Sequence, residues 1–102
     1  MIARVASFEG VNVEAAQATM DEAEARIRPL MEGLAGFGGT LQLVSDGGKV
    51  LSVSFFDSEA TARAAEPTFD EVMPRELGDL FAQWAGTRTS VDLYHVAVDE
   101  RT

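Results

Sequence analysis

Cysteine is absent from the 102 residues, and histidine, tryptophan and tyrosine occur once each, as His95, Trp84 and Tyr94. Without cysteine the chain has no disulfide framework, no thiol nucleophile and no cysteine-ligated zinc or iron–sulfur site. One histidine excludes the HExxH zinc pattern and any multi-histidine cluster, so no metal site is expected. Basic residues are scarce as well: eight Lys and Arg face seventeen Asp and Glu, for a formal net charge of -9. Nucleic-acid binding draws most of its affinity from cations on phosphates, so nucleic acid is not an expected partner. No apolar run approaches the ~20 residues that span a bilayer, and Met1 to Phe8 lacks the layout of a secretory signal. A cytoplasmic protein with no membrane partner is therefore expected. The length suits one domain over 1–102, with a core that holds without cross-links.

The pattern along the chain reads as strand, helix, strand, strand, helix, strand. Residues 1–8 are β-branched and aromatic enough for a strand ended by Glu9-Gly10. Asn12 is a good N-cap, and Ala16, Met20, Ala23, Ile27, Leu30, Met31 and Leu34 then recur at helical spacing opposite an acidic face. Pro29 is expected to kink the last turns, and Gly33 or Gly36 to take the left-handed position that ends them. Phe37 to Val44 and Val50 to Phe56 flank an Asp46-Gly47 hairpin turn. Asp57 and Ser58 cap a second helix, which Pro67 interrupts. Thr68 with Glu71 offers a new capping box for its second half, and Gly86 ends it before a strand over Thr87 to Val98. Two interleaved crossovers give an α+β, ferredoxin-like βαββαβ fold: a four-stranded antiparallel sheet in order 4-1-3-2, helices on one face.

Alternate residues of a strand point to opposite faces. One set is almost wholly apolar: Ala3, Val5, Leu41, Leu43, Leu51, Val53 and Phe55, with Val91, Leu93 and His95 on the last strand. Its apolarity predicts that it lies under the helices. The other set mixes Ile2, Arg4, Phe8, Gln42, Ser52, Ser54, Phe56, Asp92 and Tyr94. That combination reads as an interface, with Arg4, Phe8, Phe56, Asp92 and Tyr94 as a dimer face and Arg4–Asp92 as a cross-strand pair. An ordinary half-wet sheet is the alternative.

The chain resembles the dimeric α+β barrel proteins, and among them the antibiotic biosynthesis monooxygenase-like group. The resemblance rests on Arg4-Val5-Ala6-Ser7-Phe8, Leu34-Ala35-Gly36-Phe37, Leu51 through Glu59, and Val91-Asp92-Leu93-Tyr94-His95-Val96. It implies a homodimer whose sheets stack into a barrel, and a small-molecule enzyme or binder of monooxygenase-like type. Several members carry a tryptophan at the end of the third strand and a histidine in the second helix. Here those places hold Phe56 and the histidine-free run Ala60 to Ala65, which departs from the haem-ligating pattern. No cofactor is therefore expected.

His95 is the candidate catalytic group, as acid or base, in a pocket with Met31, Leu34, Phe37, Phe55 and Arg63. Its alternative is a structural role with both ring nitrogens satisfied locally. The expected ligand is a small aromatic or apolar metabolite. The competing reading is a non-catalytic ligand-binding or assembly module whose pocket its own side chains fill. Trp84 reads as core or as cleft rim near Arg88. Gly36-Phe37-Gly38-Gly39 follows a helix and lacks the third glycine of a dinucleotide loop, and no GxSxG elbow exists.

Overall fold

Asn12 begins the first helix as expected, its Oδ1 accepting from the Ala15 N–H at 3.0 Å. In the computed structural model, which describes residues 1–100, β1 (Ile2–Glu9) leads into α1 (Val13–Glu32). Strands β2 (Phe37–Val44) and β3 (Val50–Phe56) follow as a hairpin. A short α2 (Glu59–Ala64) precedes a π-helical turn (Thr68–Val72), α3 (Met73–Trp84) and β4 (Thr87–His95). The sheet order is β2-β3-β1-β4, antiparallel throughout, as the ferredoxin-like pattern requires.

Local details depart from expectation in instructive ways. Helix α1 runs on through Pro29 to Glu32. Gly33 stays right-handed, and Gly36, at φ +73°, makes the reversal into β2. Its missing Cβ would lie 2.2 Å from Asp57 Oδ1 and 2.7 Å from Thr61 Oγ1, so both the conformation and the space require glycine. The capping box forms at Ser58 with Thr61 rather than at Thr68 with Glu71. Pro67 precedes Thr68 in helical conformation, and the chain widens there into a π turn closed by Met73 N–H on Thr68 O. At the end of α3 the left-handed residue is Ala85 rather than Gly86. Gly86 is glycine because a Cβ there would meet Val11 Cγ2 at 2.5 Å.

The faces of the sheet are the main correction. Strand register places Arg4 opposite Ser54 and Thr40, and Ala6 opposite Ser52 and Gln42. These mixed rows face the helices on β1, β2 and β3, while the apolar set Val5, Leu41, Leu43, Val53 and Phe55 faces away. Arg4, Phe8 and Phe56 therefore do not form a dimer face: Arg4 and Phe56 are buried, and Phe8 packs with Val11 and Val50. The Arg4–Asp92 pair does not exist either, since Arg4 lies opposite Leu93 and Asp92 opposite Val5. Strand β4 alone has the expected phase: Val91 and Leu93 share the helix side with Ala6 and Arg4.

The inward rows explain the inversion. At one end Ile2, Phe56 and Phe37 align and pack with Met31, Leu77 and Leu80 into the main core. At the other end Phe8, Val50 and Val44 align beside Val11, Ala16 and Trp84 as a second core. The polar rows lie between them. Helices α1 and α3 are tied across their outer surfaces by Arg26, which donates to Asp79 Oδ1 and Oδ2 at 3.0 and 3.1 Å and to Glu76 O. The hydrogen bonds from Arg26 hold the Asp79 carboxyl below its ordinary range.

Two outcomes follow from these contacts. Gly36→Ala lowers stability by about 2 kcal/mol or more in urea unfolding, because it combines positive-φ strain with a clash. Because the folded-state pKa of Asp79 is depressed, its bond to Arg26 stabilises the fold above the ordinary carboxylate pKa of about 4. That stabilisation is lost as pH falls through the lower folded value. The thermal stability of Asp79→Asn is therefore below that of the unmodified chain at pH 7, and the difference closes in acid.

Candidate functional site

The two polar rows floor a cavity of about 360 Å³ between the sheet and helices α1 and α3. Its sheet wall presents Arg4, Thr40, Gln42, Ser52 and Ser54, and its helix wall presents Met20, Ile27, Met31, Met73, Phe81 and Trp84. The volume falls in the range of small-molecule sites, which pair apolar walls with a few fixed polar groups. A smaller cleft of about 230 Å³ between α1 and β2 shares Glu24, Ile27, Met31 and Thr40 with it. The two adjoin along the outer edge of the sheet.

The polar wall is cross-linked. Gln42 Nε2 donates to Ser52 Oγ at 3.0 Å and to Thr40 Oγ1 at 3.3 Å, and Thr40 Oγ1 donates to Val53 O at 2.8 Å. The Gln42 carboxamide is thereby held by its N–H groups, leaving its oxygen as the acceptor end. Arg4 is 2% exposed and pairs with Glu66 through Nε at 3.1 Å and Nη2 at 3.4 Å. Its guanidinium carbon lies 3.7 Å over the centre of the Phe69 ring, within cation–π range. Phe69 in turn meets Phe56 edge-on at 6.4 Å, and Phe56 meets Phe37 edge-on at 6.0 Å.

The π turn matters at this wall. A π turn carries one more residue than an α turn, and such insertions often sit at functional sites. Here Phe69 and Asp70 of that turn line the cavity, and Asp70 Oδ1 accepts from Arg88 Nη1 at 2.8 Å. At the same end, Trp84 Nε1 donates to Thr19 Oγ1 at 2.7 Å and keeps the indole against the cavity.

Of the expected pocket residues, only Met31 lines the main cavity. Leu34 and Phe37 pack on the main core, and Phe37 borders the smaller cleft. Phe55 follows the outward phase of β3. Arg63 is exposed on α2 and pairs with Glu59 at 2.6 Å. His95 lies opposite Ile2 at the end of edge strand β4, exposed, and does not line the cavity. The grouping of His95 with Met31, Phe55 and Arg63 is therefore not formed: the strand parity expected for β3 put Phe55 on the wrong face, and the lining of the cavity does not reach His95. Among the described residues no cluster of three or more histidines or acids could hold a metal, and no helix is long and apolar enough to cross a membrane.

Arg4, Gln42, Ser52, Ser54 and Phe69 were not expected in the site. Polar residues sharing one alternate set on three strands were the available signal.

Solved structures share this arrangement from end to end. A candidate antibiotic biosynthesis monooxygenase from Bordetella bronchiseptica superposes with a TM-score of 0.69 at 16% identity, covering 95% of this chain and 97% of its own. A counterpart from Nitrosomonas europaea gives 0.61 at 19% identity over 96% and 100% of the two chains. The chain shares the fold of these solved structures. The haem degrader MhuD of Mycobacterium tuberculosis, solved with two haems in its active site, has the same fold, at TM-score 0.66, 18% identity and 97% and 98% coverage. No protein-family model and no curated protein matches the chain.

The cavity offers haem iron no histidine, cysteine or tyrosine, and the thioethers of Met20, Met31 and Met73 in its lining are of the kind that ligate haem beside a histidine. The single histidine is outside it, cysteine is absent, and Tyr94 lies opposite Ala3 on the other face. No imidazole, thiolate or phenolate reaches an iron from these walls.

Glu66 is the counter-charge of the buried Arg4, though it is itself 35% exposed. Glu66→Ala, which leaves that cation unpaired, costs about 1–3 kcal/mol in chemical unfolding, discounted from a fully buried pair for solvent screening.

Proposed function

We propose that the cavity binds a small aromatic or otherwise apolar metabolite and that the protein acts on it as a cofactor-independent, monooxygenase-like enzyme. The observation that carries this reading is the division of the cavity into an apolar helix wall and a polar sheet wall. A planar ring fits between Met31, Phe81 and Trp84, while its oxygen substituents meet Gln42, Ser52 and Arg4. In such chemistry the electron-rich ring supplies the electrons that reduce dioxygen, one oxygen atom entering the ring and the other leaving as water. The names of similarly folded proteins, two candidate antibiotic biosynthesis monooxygenases among them, support the same class.

Oxygen uptake with one- and two-ring hydroquinones tests this. Uptake above the rate without protein is expected, and it falls at least tenfold in Gln42→Leu, which removes a fixed polar contact. Uptake equal to spontaneous oxidation contradicts catalysis. A non-catalytic binding module is the second reading, favoured by the position of His95 outside the cavity. It predicts quenching of Trp84 fluorescence by the same compounds without oxygen uptake.

We also propose a homodimer formed by stacking the two open sheet faces. On that face Leu41, Val53 and Val5 align in one row, and Leu43 and Leu51 in the next. Leu41 and Leu43 are 40% and 50% exposed and Tyr94 is 54% exposed, with Asp92 beside them. A contiguous apolar sheet face of this kind marks an interface, and two-fold stacking is the closed way to cover it. Sedimentation equilibrium at micromolar concentration is expected to give twice the chain mass, and Val53→Asp to give the monomer. A monomeric unmodified chain contradicts the dimer.

A further inference from the structure

Arg4 presents an asymmetry that the reading of the cavity as an aromatic site does not use. The cavity is lined by two arginines, Arg4 and Arg88, and two acids, Asp70 and Glu24, and Glu24 is paired along α1 with Arg28 at 3.1 Å. The partner of Arg88, Asp70, lines the cavity beside it, so that pair is internally neutral. Glu66, the partner of Arg4, does not line the cavity. The Arg4 cation thus borders the cavity with its counter-charge on the outer side. Glu66 takes Nε and Nη2 and so occupies the side edge of the guanidinium. Nη1 takes no part in the pair with Glu66, and since no buried side-chain polar atom among the described residues lacks a hydrogen-bond partner, an unbonded Nη1 is open to the cavity and not sealed in the core. A guanidinium has five donors in a fixed fork, and the end edge formed by Nη1 and the second N–H of Nη2 matches a carboxylate.

We propose that the ligand is an aromatic carboxylate whose carboxyl group pairs with the end edge of Arg4. Phe69 holds the guanidinium flat from one side, at 3.7 Å, which fixes the plane in which a carboxylate can approach. The ring of the ligand then extends along the apolar wall, past Met31 toward Phe81 and Trp84. Its further oxygen substituents face Gln42 and Ser52. The excess of acid in the chain makes this selective. Carboxylates crowd the outer helix faces, and the two that line the cavity are paired, Glu24 with Arg28 and Asp70 with Arg88, so the buried Arg4 cation is what draws an anion into the low-dielectric pocket. This proposal rests on the cavity binding an aromatic molecule and adds the charge and the group that the site reads.

Isothermal titration calorimetry with 2-naphthoate and its neutral isostere 2-naphthamide separates the two claims. The unmodified chain is expected to bind the carboxylate at least tenfold more tightly than the amide, the scale of one charge-assisted bond. In Arg4→Gln the preference disappears while the amide still binds. Glu66→Gln keeps Arg4 but removes its counter-charge, and strengthens naphthoate binding without strengthening the amide. That variant decides the matter should Arg4→Gln fail to fold. Equal affinity of the two ligands in both the unmodified chain and Glu66→Gln overturns the carboxylate proposal and leaves an aromatic site standing. Binding of neither ligand overturns both.

Discussion

A buried guanidinium is expensive to remove from water, and the arrangement around Arg4 is what makes its burial tolerable. Glu66 neutralises one edge, Phe69 covers one face, and Ser54 and Leu93 flank it across the strands. Each partner comes from a different part of the chain. Glu66 stands just before Pro67, Phe69 sits in the π turn, and Ser54 lies on the central strand β3. The widened turn is intelligible in this light: Phe69 and Asp70 line the cavity while Met73 remains in the core. Arg4 therefore couples the phase of β1, and through register the phase of the whole sheet, to the irregular segment between α2 and α3.

The consequence is a sheet whose polarity is the reverse of the ordinary rule. Buried apolar rows close the two ends of the inward face, and the polar middle cannot be filled by helix side chains without leaving donors and acceptors unmet. A cavity with a hydrogen-bonding floor results. The outward face compensates by being apolar, and its exposed leucines become intelligible once a second sheet is allowed to cover it. Cavity floor and open apolar face are thus alternate residues of the same strands, so a one-residue slip would exchange them.

Much of the fold was legible in the sequence. The spacing of Ala16 through Leu34 located α1, the Asn12 cap marked its start, and the Asp46-Gly47 turn paired β2 with β3. The topology and strand order followed from element order alone. The phase of the strands did not, because apolar Val5, Leu41 and Val53 invite burial under helices, whereas here they lie on the sheet face turned away from them. An outward Arg4 would share its face with Asp92, which makes Asp92 the apparent partner. The true partner, Glu66, is sixty-two residues away in a segment whose capping box at Thr68 misled for a related reason. The helix there was continuous enough to widen rather than restart. His95 drew attention by its rarity, but rarity carries no geometry, whereas the polar alternation of Thr40, Gln42, Ser52 and Ser54 did.

The inward position of Arg4 is the claim on which cavity, ligand and outer face all depend. Nuclear magnetic resonance of the isotopically labelled chain reads it directly. The account predicts nuclear Overhauser contacts between the Arg4 δ protons and the Phe69 ring, with those protons shifted upfield by the ring current. Contacts from Arg4 to Asp92, with δ-proton shifts of an ordinary solvated arginine, would contradict it.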